Sequence, residues 1–211
     1  MKEKVFERTE KVAEELKLPL IKLESDFQNV LPQDHYLSHT YMDALAIYSL
    51  QKLWRTYYYA STYPFNEFTL KNNSNIDPAH FELFLLNCFS TSQLKIIPEG
   101  SEVDSTDKIK FISNYAVAQK NLHVCTRKET NCGVCEKCLR TLLAIDALNK
   151  LDNFREVFDI DAYIKNRANI YLLLFQKYIL EKNPFYKKTF NVLYNRHKDF
   201  FDSIVVKKSE Q

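Results

Sequence analysis

Glycine is nearly missing from this chain of 211 residues: there are two, Gly100 and Gly133. At ordinary usage of about 7%, a chain of this length would carry roughly 15. A loop that cradles phosphate with consecutive backbone amides needs clustered glycines, so glycine-rich nucleotide loops are excluded. Long apolar runs are missing too. No stretch of about 18 apolar residues exists, which leaves no candidate membrane-spanning helix and no expected membrane partner. The opening MKEKVFERTEKVAEELK is too charged for a secretory signal. There is no internal repeat and no low-complexity block. The expected location is therefore the cytoplasm, where thiols stay reduced and clustered cysteines more often bind metal than pair as disulfides.

What is present suits one domain, or one domain with an appendage. Apolar residues make up 45% of the chain, enough for a core, and charged residues 27%. The net charge of +2 hides an uneven distribution. Residues 165–211 hold ten Lys and Arg against four Asp and Glu; the rest holds nineteen against twenty-three. The body is mildly acidic and the tail basic.

Periodicity predicts a helix over 3–17, with Val5, Phe6, Val12, Ala13 and Leu16 near one face, then a strand at 18–24 (LPLIKLE). A helix follows over 38–54, with Tyr41, Leu45, Tyr48 and Leu53 on one stripe, then a β-prone run at 56–61. Asp77 and Pro78 form a helix start, Asp capping and Pro in the first position. A strand is expected at 93–97, a helix start at 104–107 and a short extended piece at 122–124. This alternation predicts an α/β protein with a mostly parallel sheet. The expected layout is an α/β domain over 1–124, a metal knuckle and its helix over 125–153, and a helical cap over 154–211.

Four of the five cysteines lie in CTRKETNCGVCEKC: Cys125, Cys132, Cys135 and Cys138. Four thiolates can complete a tetrahedral zinc shell, which leaves no open position and so implies a structural ion. Gly133 permits the tight turn in CGVC. Cys138 follows Cys135 by one helical turn, so a helix should begin beside the metal with its positive end toward the thiolates. Lys128, Lys137 and Arg140 are placed to offset the net charge of −2. An iron–sulfur cluster and a redox dithiol remain alternatives for the same cysteines. Cys88, in the apolar run LFLLNCF, is expected to be a buried core thiol.

The string Asp107-Lys108-Ile109, Val124-Cys125 and Asn131-Cys132-Gly133-Val134-Cys135-Glu136-Lys137-Cys138-Leu139-Arg140-Thr141 resembles the C-terminal half of the PP-loop ATP pyrophosphatase, or adenine nucleotide α-hydrolase-like, superfamily. The 7-cyano-7-deazaguanine synthase family ends in a similar four-cysteine zinc knuckle followed by a helix carrying an Arg. The match is specific over 104–148, looser over 1–103 and silent beyond 154. The resemblance implies a partial Rossmann-like sheet and ATP-dependent adenylation of a substrate carbonyl or carboxylate, with pyrophosphate released and AMP then displaced by a nitrogen or sulfur nucleophile. The superfamily's Ser-Gly-Gly-x-Asp-Ser loop is nowhere in this sequence. ATP and Mg²⁺ are thus implied only if that loop is supplied elsewhere, by a PP-loop chain encoded upstream, and the chain would be the substrate-side half of an amidoligase-like enzyme. A missing first strand would leave an exposed sheet edge, which favours such a partner or a homo-oligomer. The other reading is a non-catalytic binding or scaffold module of the same fold.

Candidate residues for a small-molecule substrate follow from position. The resemblance marks His39, beside His35, near a helix start. Ser61 closes one expected strand and Glu99 follows another, at the carboxyl ends where open α/β sheets bind ligands. Asp107, Lys108 and Arg140 lie within the resemblance; as bland readings, Asp107 is a first-turn acid, Lys108 a solvated cation and Arg140 a partner of the metal–thiolate charge. In the tail, Lys187, Lys188, Arg196 and Lys198 alternate with aromatics, which raises nucleic-acid binding. The aromatics Phe185, Tyr186, Phe190 and Tyr194 fall at helical spacing, however, as in a core stripe.

Overall fold

The computed structural model describes residues 2–30, 33–70 and 77–209. In chain order the elements are α1 (Lys2–Glu15), α2 (Phe27–Val30), α3 (His35–Ser49), β1 (Thr56–Ala60), α4 (Glu82–Phe89), β2 (Lys95–Glu99), α5 (Ser105–Ile112), α6 (Ala116–Asn121), α7 (Glu136–Ala147), α8 (Ile160–Lys165), α9 (Arg167–Phe175), α10 (Lys187–Arg196) and α11 (Lys198–Ser209). The protein is mixed α/β, mostly helical with a small two-stranded parallel sheet. None of its described helices is long and apolar enough to cross a membrane.

The chain divides into two compact units. One joins Met1–Leu20 to Ser105–Gln211, the other is Ile21–Asp104. The first helix and residues 105–124 thus group with the cysteine region, whereas the expected layout set them with the strands in 1–124.

In the Ile21–Asp104 unit, β1 and β2 pair in parallel from Thr56 opposite Lys95 to Ala60 opposite Glu99. The parallel pairing requires a crossover, and α4 lies within it. Asp77 begins that crossover as expected: its carboxylate accepts from the Ala79 amide at 2.9 Å, and Pro78 takes the first position of a 3-10 turn that leads into α4. Ile47, Tyr59, Leu86, Leu94 and Ile96 make the small core. The buried face of α3 carries Thr40, Ala44 and Ile47. The expected stripe is therefore rotated: Tyr41 and Leu45 are exposed, and Leu53 lies beyond the helix. Cys88, expected in the core, is exposed on α4, where Leu86 alone among the apolar residues is fully buried.

Two segments expected as strands are not strands. Leu18–Glu24 is irregular and exposed along its length. It follows Lys17, whose φ of 55° breaks an extended path, and Pro19 has no amide to give to a ladder. Residues 122–124 are also irregular, because their backbone groups bond to a side chain, as described below.

In the other unit, α5 and α10 pack against α7, and α1 packs against α6. Leu142, Leu143, Phe154, Ile160, Leu174, Leu193 and Phe201 are at most 1% exposed and define its core. The expected all-helical character of 160–198 holds, with one π turn at Gln176–Leu180. The tail's aromatics pack inward: Phe190 lies 5.6 Å from Tyr194, stacked, and 5.3 Å from Phe201, edge to face.

A buried polar knot closes the C-terminal end of α7. Asp146 accepts hydrogen bonds from the hydroxyls of Tyr163 (2.8 Å) and Tyr171 (2.9 Å), and Arg167 Nε stands 3.3 Å from the same carboxylate. Arg196 donates to the Asp146 carbonyl at 2.8 Å and the Ala147 carbonyl at 2.9 Å. It supplies the positive charge that the last turn of a helix favours. Burial and the neighbouring carboxylate push both tyrosine hydroxyls well above their usual range, so they remain donors. Asp146→Ala strands two tyrosine hydroxyls and takes the carboxylate away from Arg167, while Arg196 keeps its two backbone carbonyls, and is expected to cost about 3 kcal/mol. Tyr163→Phe removes one bond and should cost about 1 kcal/mol. Urea unfolding of the two variants measures the difference.

Candidate metal centre

The sulfur atoms of Cys125, Cys132, Cys135 and Cys138 all lie within 4.8 Å of one another and could hold a metal ion such as zinc. Cys125 and Cys135 are 4.0 Å apart, and Cys132 and Cys138 are 3.9 Å apart. Metal–sulfur bonds of about 2.3 Å in a tetrahedron set sulfur separations near about 3.8 Å. The group is thus spaced for one ion. Cys138 is fully buried, and Cys125 and Cys135 nearly so.

Local chemistry explains the convergence. Gly133 has φ 71°, the left-handed conformation that folds CGVC back on itself. A Cβ at Gly133 would meet nothing within 4 Å, so the constraint there is backbone conformation and not space. Cys135 is the N-cap of α7, with extended φ −77° and ψ 160°, and Cys138 sits in the first turn. The helix therefore begins beside the sulfurs, as the spacing predicted. Backbone amides point at the sulfurs: Arg127 N–H donates to Cys125 at 3.4 Å and Cys135 N–H to Cys132 at 3.3 Å.

These contacts divide the thiols. For Cys125, burial raises the pKa, but backbone donors from Arg127, Cys132 and Lys128 outweigh it and bring it down to about 6. Cys132 is lowered by the Val134 amide against the opposing effect of burial. Burial dominates at Cys138 and pushes it up to about 12.

Asn131 brackets the site, and its role was missed in the sequence. Its carboxamide oxygen accepts from the amides of Val124 (2.9 Å) and Cys125 (3.2 Å). Its nitrogen donates to the carbonyls of Leu122 (2.8 Å) and Val157 (3.0 Å). This amide replaces the strand partner expected at 122–124 and fixes the first cysteine relative to the other three. The one signal was its place immediately before Cys132. From α1, Lys4 pairs with Glu129 at 2.6 Å and Arg8 donates to the Glu129 carbonyl at 2.7 Å, which anchors the loop between the first two cysteines.

Of the other candidates, Lys108 and Arg140 come together. They line a cleft of about 510 Å³ with Lys137, His123 and Cys125. The Arg140 guanidinium lies 5.3 Å over the Phe185 ring. Asp107 pairs instead with Lys188 and is not part of the cleft wall. His39, Ser61 and Glu99 belong to the Ile21–Asp104 unit. Ser61 and Glu99 are neighbours at the carboxyl end of the sheet, the Ser61 amide donating to the Glu99 carbonyl at 3.0 Å. His39 Nε2 is 2.8 Å from Asp77, which ties α3 to the start of the crossover. Glu82, 1% exposed, accepts from the Thr62 amide at 2.8 Å; no sequence signal singled it out.

Compared with known proteins, the chain matches no family model, no curated protein and no solved structure.

Two expectations concern the centre. Cys135→Ser should lose the bound metal and unfold at a lower temperature, whereas Cys88→Ser should retain both; elemental analysis and thermal unfolding read the contrast. Asn131→Ala removes four hydrogen bonds around the first ligand and is expected to lower metal affinity by about 10- to 100-fold, as loss of a partner outside the ligand shell does. Competition against a chromogenic chelator measures it.

Proposed function

We propose that the ion is a structural zinc and that it fixes a cationic cleft in which an acidic small molecule is held. On the resemblance of 104–148 to the PP-loop ATP pyrophosphatases, this chain serves as the substrate-side half of an ATP-dependent adenylating, amidoligase-like enzyme. The observation that carries the reading is the meeting of Lys108, Lys137 and Arg140 in one cleft, beside Cys125, with no carboxylate in its wall. Cations on two packed helices, one of which begins at the cysteine cluster, are a preorganised receptor for negative charge.

In this reading Arg140 presents its planar fork to the ligand's acidic group while Phe185 supports its other face, and Lys108 and Lys137 act as point charges. Lys108 and Arg140 are the substrate residues; His39, Ser61, Glu99 and Asp107 have no part in this cleft. ATP and Mg²⁺ enter only with a second chain that carries the Ser-Gly-Gly-x-Asp-Ser loop. Zinc is preferred over an iron–sulfur cluster because the sulfurs are spaced for one ion; a cluster distributes its thiolates over several irons. The alternative of a nucleic-acid-binding scaffold has less support. Tyr186 and Phe190 are buried, so they offer no stacking face.

The test is a pyrophosphate-release assay with ATP. The chain alone should release none. Together with a protein that carries the phosphate loop and is encoded beside it, and with a mixture of carboxylate-bearing metabolites to accept the AMP, release should appear and fall with Arg140→Gln. Absence of release from that pair would overturn the enzyme reading.

A further inference from the structure

We infer that the cleft beside the metal centre holds a phosphate monoester, which names a ligand class for the site proposed above and rests on that reading. The cleft wall is built by α5, by the segment entering the knuckle and by α7. Three cations line it: Lys108 from α5, and Lys137 and Arg140 from α7. Asp107, the acid next to Lys108, is turned to Lys188 and adds no negative charge to the wall.

Donors on two different helices suit a group with acceptors directed to several sides. A phosphate monoester carries up to two charges on three tetrahedrally arranged oxygens. A carboxylate has one charge and two oxygens in a single plane. Ser105, Thr106 and Thr141 add hydroxyls to the same wall, and hydroxyl and guanidinium donors together are the usual partners of a phosphoryl group. Val124 and Ala144 supply an apolar patch for the rest of the molecule. A volume of about 510 Å³ falls in the range of small-molecule sites, large enough for a mononucleotide or a sugar phosphate.

The competing account is that these cations only neutralise the metal–thiolate charge. The two accounts differ in one respect: a ligand site requires that an anion bind without disturbing the metal.

The experiment titrates metal-loaded protein calorimetrically with inorganic phosphate, AMP, ribose 5-phosphate and acetate, at fixed pH and ionic strength. Phosphate and at least one ester should bind, and acetate should bind about tenfold more weakly. Arg140→Gln and Lys137→Met should each weaken phosphate binding about tenfold with metal content unchanged. Lys165→Gln, a cation outside the cleft, should bind as the parent does. Tighter binding of AMP than of ribose 5-phosphate assigns the phosphoryl group to a nucleotide, and the reverse to a sugar phosphate. Acetate binding as tightly as phosphate would overturn the phosphate assignment while leaving the acidic-ligand reading in place. If no anion binds, or if both variants lose metal and leave phosphate affinity unchanged, the cations belong to the metal centre and both readings fall.

Discussion

Four cysteine sulfurs meeting at the N-terminal end of α7 are the constraint on which the unit around that helix depends. They unite a loop, a tight turn and a helix start that have few apolar side chains of their own to pack. The helix that leaves this point buries Leu142, Leu143 and Ile145 and receives α5 and α10 on its flanks. Its far end is held by different chemistry, with Asp146 accepting from two tyrosines and Arg196 covering the last carbonyls. One helix thus has a convergent four-cysteine cluster at its start and a buried polar knot at its finish. Exposed Lys137 and half-buried Arg140, borne on this helix, inherit that rigidity, which is what a preorganised binding surface requires.

Features written in local spacing were legible in the sequence. The cysteines announced themselves because three-residue steps return side chains to one side, and Gly133 because only a left-handed residue permits the turn. Asp77-Pro78 gave its helix start correctly, and the two parallel strands fell within two residues of their expected places. Features that depend on distant partners were not legible. LPLIKLE has the apolar content of a strand but no ladder among the described residues, so pattern without pairing misled. The stripe on α3 was rotated because Tyr41 and Leu45 are exposed, while the small residues Thr40 and Ala44 face the core.

Asn131 and Asp146 are the instructive misses. Each is one short polar side chain whose meaning comes from hydrogen-bond partners up to 26 and 25 residues away. No periodicity marks such residues, since one amide or carboxylate replaces a whole strand or cap. The tail shows the opposite case. Its aromatics and cations suggested a nucleic-acid surface, yet helical spacing already pointed to a core, and the rings of Tyr171, Phe190 and Phe201 do pack on one another. Basic composition there reflects a solvated face over an aromatic interior.

The account rests on one ion held by four sulfurs, because that centre sets the helix and the helix sets the cleft. X-ray absorption on the purified protein tests this directly. The expected spectrum is a zinc edge with a single shell of four sulfurs at about 2.3 Å and about one zinc per chain. A metal–metal shell, nitrogen or oxygen in the first shell, or metal well below about half an equivalent would contradict it.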